Sequence, residues 1–177
     1  MHRQPLLTLL QRHQPFDEDE STMLEQIIHF VRNHPDCFER HLSIGHVTGS
    51  AWIVSPDHRQ VVLLHHAKLD RWFQPGGHAD GDPDLLGVAL REAEEETGLQ
   101  NLKVVSPAIF DVDVHTIPAR ASEPEHLHYD IRFLLEAPTD QPFDQTAETK
   151  EVRWVNVAEI EKLTTEKSII RMNTKKK

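Results

Sequence analysis

Arg91, Glu92, Glu95 and Glu96 lie within the short run REAEEE. On a helix, at about 100° per residue, Glu92 and Glu96 are almost aligned one turn apart, with Glu95 beside them. Like charges at this spacing destabilise a bare helix. They also fall towards its C-terminal end, where the helix dipole disfavours negative charge. A compensating cation is therefore expected. Mg²⁺, with Mn²⁺ as a substitute, suits a set of carboxylate oxygens and commonly bridges them to phosphate. Arg91 can orient one of the carboxylates. On its own a glutamate-rich helix is more often a solvated face than a metal site. The Gly76-Gly77 pair shifts the balance, because it allows backbone to approach a ligand closely.

The helix that must carry these acids is well marked in GGHADGDPDLLGVALREAEEETGL, Gly76 to Leu99. Asp82 can cap its start, Pro83 suits the first helical position and Gly98 can close its end. Leu85, Val88, Ala89 and Ala93 form an apolar stripe for packing.

From Gly77 to Leu99 the segment resembles the signature of the Nudix hydrolases, G-x5-E-x7-R-E-U-x-E-E-x-G-U, where U is a bulky aliphatic residue. Two positions depart from it. Pro83 stands where the first glutamate is expected, with Asp82 and Asp84 as partial substitutes for its charge, and Ala93 is a small aliphatic residue. The resemblance implies an α/β/α sandwich around a mixed sheet, of the α/β (α+β) class. It also implies hydrolysis of a diphosphate bond in a nucleoside diphosphate linked to another moiety. By position, Glu92, Glu95 and Glu96 resemble the metal-binding glutamates, and the Gly76 carbonyl resembles a further ligand. The catalytic set so implied is Arg91, Glu92 and Glu95, with a loop acid from outside the motif. Glu148 is the first choice for that acid, and Glu151 and Glu125 are alternatives. Two rivals are a nucleotide or sugar sensor that does not cleave, and an enzyme like the isopentenyl-diphosphate isomerases. The latter place a cysteine just before a Gly-His step, and Gln74-Pro75-Gly76-Gly77-His78 has none.

Histidines are the second candidate group, thirteen in all. On a strand, His126, His128 and Asp130 share one face. His78 follows the glycine pair, and His115 ends the preceding strand candidate. Arg71, His78, His126 and His128 are the expected substrate-binding residues, with Trp72 as a pocket or core residue. A stronger form makes the histidines a second metal site, since imidazole suits transition metals. Any one of them is more simply a satisfied polar residue on a half-exposed sheet.

The elements around these residues read as follows. Residues 1–40 form a helical extension, with one helix after Pro5 and a second from near Thr22, where Thr22 and Glu25 have capping-box spacing. Leu24, Ile27, Ile28 and Val31 recur at helical intervals. Residues 44–66 read as a hairpin, Gln74–Gly77 as a loop, 101–114 and 126–136 as strands, and 151–155 as a short strand before a helix capped by Asn156. The main domain spans 41–165, and 166–177 reads as a frayed tail. The N-terminal helices are candidates for a homodimer contact, a lid or simple packing.

A net charge of −10 argues against a nucleic-acid polymer as partner. It is compatible with a small-molecule diphosphate, because bound cations reverse the local field. Cys37 is the lone cysteine, so neither a disulfide framework nor a thiolate zinc cluster is expected. Leu6–Leu10 is too short an apolar patch to span a membrane, and a cytoplasmic protein is expected.

Overall fold

The structure is a computed structural model that describes residues 2–67, 70–119, 124–144 and 149–175. Helices α1 (Gln4–Arg12) and α2 (Glu18–Asn33) come first, followed by strands β1 (Gly45–Val54), β2 (Gln60–His66), β3 (Arg71–Phe73) and β4 (Gly76–His78). Helix α3 (Leu85–Thr97) leads to β5 (Lys103–Val104), β6 (Asp111–Ile117), β7 (His126–Glu136) and β8 (Thr149–Asn156). A 3₁₀ turn (Val157–Glu159), α4 (Ile160–Leu163) and α5 (Lys167–Thr174) complete the described chain.

The strands form one mixed, branched sheet. Its central path is β3-β2-β1-β7-β5, with β4 on β1, β6 on β7 and β8 on β2. The β1–β7 pair is parallel along its whole length, from Gly45↔Leu127 to Val54↔Glu136, and the other pairings are antiparallel. The expected hairpin over 44–66 is present only next to its turn, at Val54↔Val61. Beyond that point β1 pairs with β4 and β2 with β8. Gly76-Gly77, expected in a loop, lie in β4, with Ser50↔Gly76 and Gly49↔Gly77 in register.

Period-two alternation divides the two faces of the sheet. Val47, Ala51, Ile53, Val62, Ile131, Phe133 and Leu135 join a buried cluster that also holds the apolar stripes of α1, α2 and α3. Trp52, Val54, Val61, Leu63 and Leu134 pack on the other face with Ile160, Ile169 and Met172. Helices therefore cover both faces. The second face is apolar only at one end. At the other it carries His46, Thr48, Ser50, His128, Asp130 and Arg132, and this end holds the candidate site.

Several boundaries differ from those the sequence suggests. Helix α2 starts at Glu18, earlier than Thr22, because Asp17 caps it by accepting a 2.7 Å bond from Glu20 N–H. The acids Glu18, Asp19 and Glu20 then occupy the first turn, where the dipole favours them. Helix α3 starts at Leu85, capped by Asp84 in place of Asp82, so Pro83 precedes it. Its stripe of Leu85, Val88, Ala89 and Ala93 is buried as expected. Burial of Leu85 and Val88 stabilises the fold by about 2 kcal/mol each. Gly98 ends the helix in the left-handed region at φ 75°. The segment expected as a frayed tail forms α5. Ile169 and Met172 bury against the sheet, and the Arg171 guanidinium donates to both Asp111 oxygens.

Candidate active site

Helix α3 lays its acidic face along β4. The Gly76 N–H donates to Glu96 Oε2 at 2.8 Å, and Arg91 Nη2 donates to Glu92 Oε1 at 3.2 Å. Gly77 lets the Glu92 carboxylate close on the backbone. A Cβ there would lie 2.2 Å from Glu92 Oε2 and 2.4 Å from its Cδ. Burial holds the Glu92 carboxyl above the usual carboxylate range. Glu95 and Asp80 push the same way, while Arg91 opposes them. Glu95 is exposed. The helix thus brings Arg91, Glu92 and Glu96 to the glycine pair, with Glu95 on its solvent side.

These residues fit a hard divalent cation by their all-oxygen donor chemistry and by the glycine cradle, which leaves the Glu92 carboxylate room against backbone. Among the described residues, the three carboxylates of Glu92, Glu95 and Glu96 do not form a cluster with ligand atoms all within 4.8 Å of one another. Glu96 is held by a backbone donor and Glu92 by Arg91, which disperses the like charges.

Beside this helix a cavity of about 570 Å³ opens over the polar end of the sheet. Its wall includes Arg71, Gly76, His78, Glu96, His128 and Asp130. Strand register builds that wall in rows. His46, His128 and His115 are consecutive partners across β1, β7 and β6. His78, Thr48, Asp130 and Asp113 form the next row, and Gly76, Ser50, Arg132 and Asp111 the one after.

Asp130 is the hub of this wall. It accepts from Thr48 Oγ1 at 2.8 Å, Ser50 Oγ at 2.7 Å, Gln74 Nε2 at 3.2 Å and Arg132 Nε at 2.7 Å. Arg132 also donates to Asp111 at 3.1 Å and Asp113 at 3.2 Å. Burial acts against the Arg132 charge, but Asp113, Asp130 and Asp111 outweigh it and raise its pKa. Burial likewise opposes ionisation of Asp113, and Arg132 and His115 overcome it, so its pKa is lowered.

The histidines gather at the head of these rows. Ring centres are 5.0 Å apart for His46–His78, 4.7 Å for His46–His128 and 5.1 Å for His78–His128. His126 is buried against His46 and His128 and is not part of the cavity wall. Burial lowers the His46 pKa to about 4, and neighbouring imidazoles add to the effect. The same causes lower that of His128 to about 2. Both rings are therefore neutral at physiological pH.

The remaining candidates are dispersed. Arg71 lines the cavity and pairs with Glu166 at 2.8 Å. Trp72 stacks on His65 at 4.8 Å, lies under the Arg153 guanidinium at 4.7 Å and packs on the second core. Glu125 is exposed, and Glu151 is exposed and paired with Arg153 at 3.3 Å. Glu148 lies outside the described residues. Reading the sequence missed His46, Asp111, Asp113 and Arg132. Their signal was alternation, His46-x-Thr48-x-Ser50 and Asp111-x-Asp113-x-His115, on strands whose partners lie far away in the chain.

A mixed sheet between helices, with an acidic helix packed on a glycine pair beside a polar cavity, defines an α/β/α sandwich. The NUDIX domain family matches residues 45–173, and the chain belongs to that family. An RNA pyrophosphohydrolase of Bartonella tribocorum is 36% identical over 63 residues, 34% of this chain and 34% of that protein. The CMP-5'-(N-acetyl-N-hydroxy-3-aminopropyl)phosphonate hydrolase of Streptomyces rubellomurinus is 32% identical over 126 residues, 65% of this chain and 54% of that protein. The matches therefore span from a third to about half of these curated relatives. A C. elegans Ap4A hydrolase complex shares the fold, with a TM-score of 0.56 at 16% identity over 72% of this chain and 93% of that one. Among the described residues no helix is long and apolar enough to cross a membrane.

Proposed function

We propose that this protein hydrolyses a diphosphate bond in a small molecule, a nucleoside diphosphate linked to another moiety, with Mg²⁺ or in its place Mn²⁺. The observation that carries this is the packing of α3 on β4, with Glu96 on the Gly76 N–H and Glu92 against the bare Cα of Gly77. Glu92, Glu95, Glu96 and the Gly76 carbonyl would hold the cation. When bound, it neutralises the diphosphate and acidifies the attacking water. Arg91 would orient Glu92, and a carboxylate of this set would take the proton of the attacking water. Glu95 or Glu148 completes the acid set. Arg71, His78 and His128 line the cavity and would contact the substrate, with His126 backing them. Fixed donors around a displaced phosphoryl group contribute by positioning and electrostatics.

An isomerase-like reaction lacks support, because it needs a reactive cysteine. Cys37 is fully buried in the first core, and burial pushes its thiol up to about 11. The deciding experiment incubates the purified chain with Mg²⁺ or Mn²⁺ and a panel of diphosphate compounds, with Glu96→Gln in parallel. Metal-dependent turnover that collapses in the variant is the expected result. Metal-dependent binding without turnover of any compound would replace hydrolysis with sensing.

A further inference from the structure

The proposed hydrolysis makes no use of His46. This ring is 3% exposed, and neither Nδ1 nor Nε2 has a hydrogen-bond partner. A neutral imidazole carries one N–H and one lone pair, so both polar atoms are stranded. A buried polar atom left unmet costs about 1–3 kcal/mol. The ring faces imidazoles from two other strands, His78 on β4 and His126 and His128 on β7. One nitrogen each of His46 on β1, His78 on β4 and His128 on β7 lie within 4.8 Å of one another. Among the described residues these three make up the one cluster of histidine, cysteine or carboxylate ligand atoms so closely grouped.

We propose that His46, His78 and His128 bind one transition-metal ion of the Zn²⁺ class, at a site separate from the glutamates of α3. Three imidazoles and no carboxylate select borderline ions such as Zn²⁺, Co²⁺ or Ni²⁺ over Mg²⁺ or Ca²⁺. An ion held by the His46 ring satisfies a buried nitrogen that the protein leaves bare. The scaffold is rigid, since β1 pairs with β7 at His46↔His128 and with β4 at Thr48↔His78. His126 supplies a supporting layer. Its Nδ1 lies 2.8 Å from the Pro124 carbonyl, which makes that nitrogen the donor. Its Nε2 is thereby an acceptor, 3.3 Å from His128 Nε2, and the contact orients the His128 ring. His78 and His128 also belong to the cavity wall. Three protein ligands leave a fourth position for water or for an oxygen of the cavity's occupant.

The test titrates the full, metal-stripped chain with Co²⁺ in excess Mg²⁺ and follows visible absorption. Nitrogen ligands in a four-coordinate site give strong ligand-field bands, whereas octahedral oxygen ligands give weak ones. One equivalent of Co²⁺ is expected to produce strong bands that Zn²⁺ abolishes. Affinity should fall by about 100-fold or more in His78→Ala and His128→Gln, since even supporting residues around a metal contribute about 10–100-fold. Glu96→Gln should bind Co²⁺ as the parent does. His78 is only partly buried, so His78→Ala decides the matter if the His128 variant does not fold. Absence of strong bands in the parent, or bands unchanged in folded His78→Ala, would overturn the proposal. So would bands lost in Glu96→Gln but kept in His78→Ala.

Discussion

Glu96 accepts a 2.8 Å hydrogen bond from the Gly76 N–H, tying the last turn of α3 to the short strand that borders the cavity. One residue on, Gly77 meets the Glu92 carboxylate. The two glycines are therefore expected to respond differently to an added methyl. In Gly77→Ala the Cβ displaces the flexible end of Glu92, leaving the fold intact. In Gly76→Ala the Cβ lies 2.8 Å from Ser50 Cα and 2.1 Å from Ser50 Oγ, so paired backbone must move. Gly77→Ala should keep its urea midpoint and lose about 100-fold in kcat/KM, the scale of a 1 Å misplacement. Gly76→Ala should lose about 1–3 kcal/mol of stability, as overpacking does. Equal loss of stability in both would show that Gly77 serves the fold and not the site.

Arg132 binds the buried Asp111 and Asp130 and the partly buried Asp113, so its removal takes the paired cation from Asp130, while Arg171 stays on Asp111 and Asp113. Breaking a buried pair from one side costs about 3–5 kcal/mol. Arg132→Met should lower stability by that amount in equilibrium urea unfolding. It should also loosen the Asp130 wall on which Thr48, Ser50 and Gln74 converge. A loss below about 1 kcal/mol, typical of an exposed pair, would contradict this.

Local patterns made α3 legible. Its stripe repeats at helical spacing, its C-terminal glycine has one plausible role, and its acids fall on one arc. The N-terminal boundary slipped because Asp82 and Asp84 are both good caps, and only packing selects Asp84. The same competition moved the start of α2 from Thr22 to the residue after Asp17. His46 was invisible as a partner of His128 because they meet through a parallel pairing of strands some eighty residues apart, whose register is set by the whole sheet. Helix α5 was missed because two turns hold few apolar residues, and much of its anchoring is ionic, through Arg171 and Asp111.

Glu20 predicts an acid-sensitive fold. Its carboxylate accepts from His13 at 2.8 Å, Lys175 Nζ at 2.7 Å and the Phe16 N–H at 2.7 Å, joining α2 to the C-terminal end of α5. Burial opposes its ionisation, but these donors outweigh it and lower its pKa from 4.5 to about 2. A folded pKa below the unfolded one adds stability that is complete above the unfolded value. That stability is lost as pH falls through the folded value. The contribution is about 3 kcal/mol at neutral pH. Chemical unfolding of the parent and Glu20→Gln should differ most above pH 4.5 and converge towards pH 2. A difference that is constant with pH would remove Glu20 as the titrating group.

Arg71 tests substrate binding apart from stability. Its ion pair with Glu166 joins two partly exposed side chains, 64% and 35% accessible, so it contributes less than about 1 kcal/mol to folding. The guanidinium also lines the cavity, where an anionic substrate would compete with Glu166 for it. Arg71→Ala should therefore unfold like the parent and raise KM by about tenfold, equivalent to about 1.4 kcal/mol, with kcat little changed, the pattern of lost uniform binding. Glu166→Gln should have the opposite effect on KM, because it frees Arg71 for the substrate. If neither variant moves KM, Arg71 serves only to tie β3 to the segment before α5, and substrate phosphates must be held from the α3 side of the cavity.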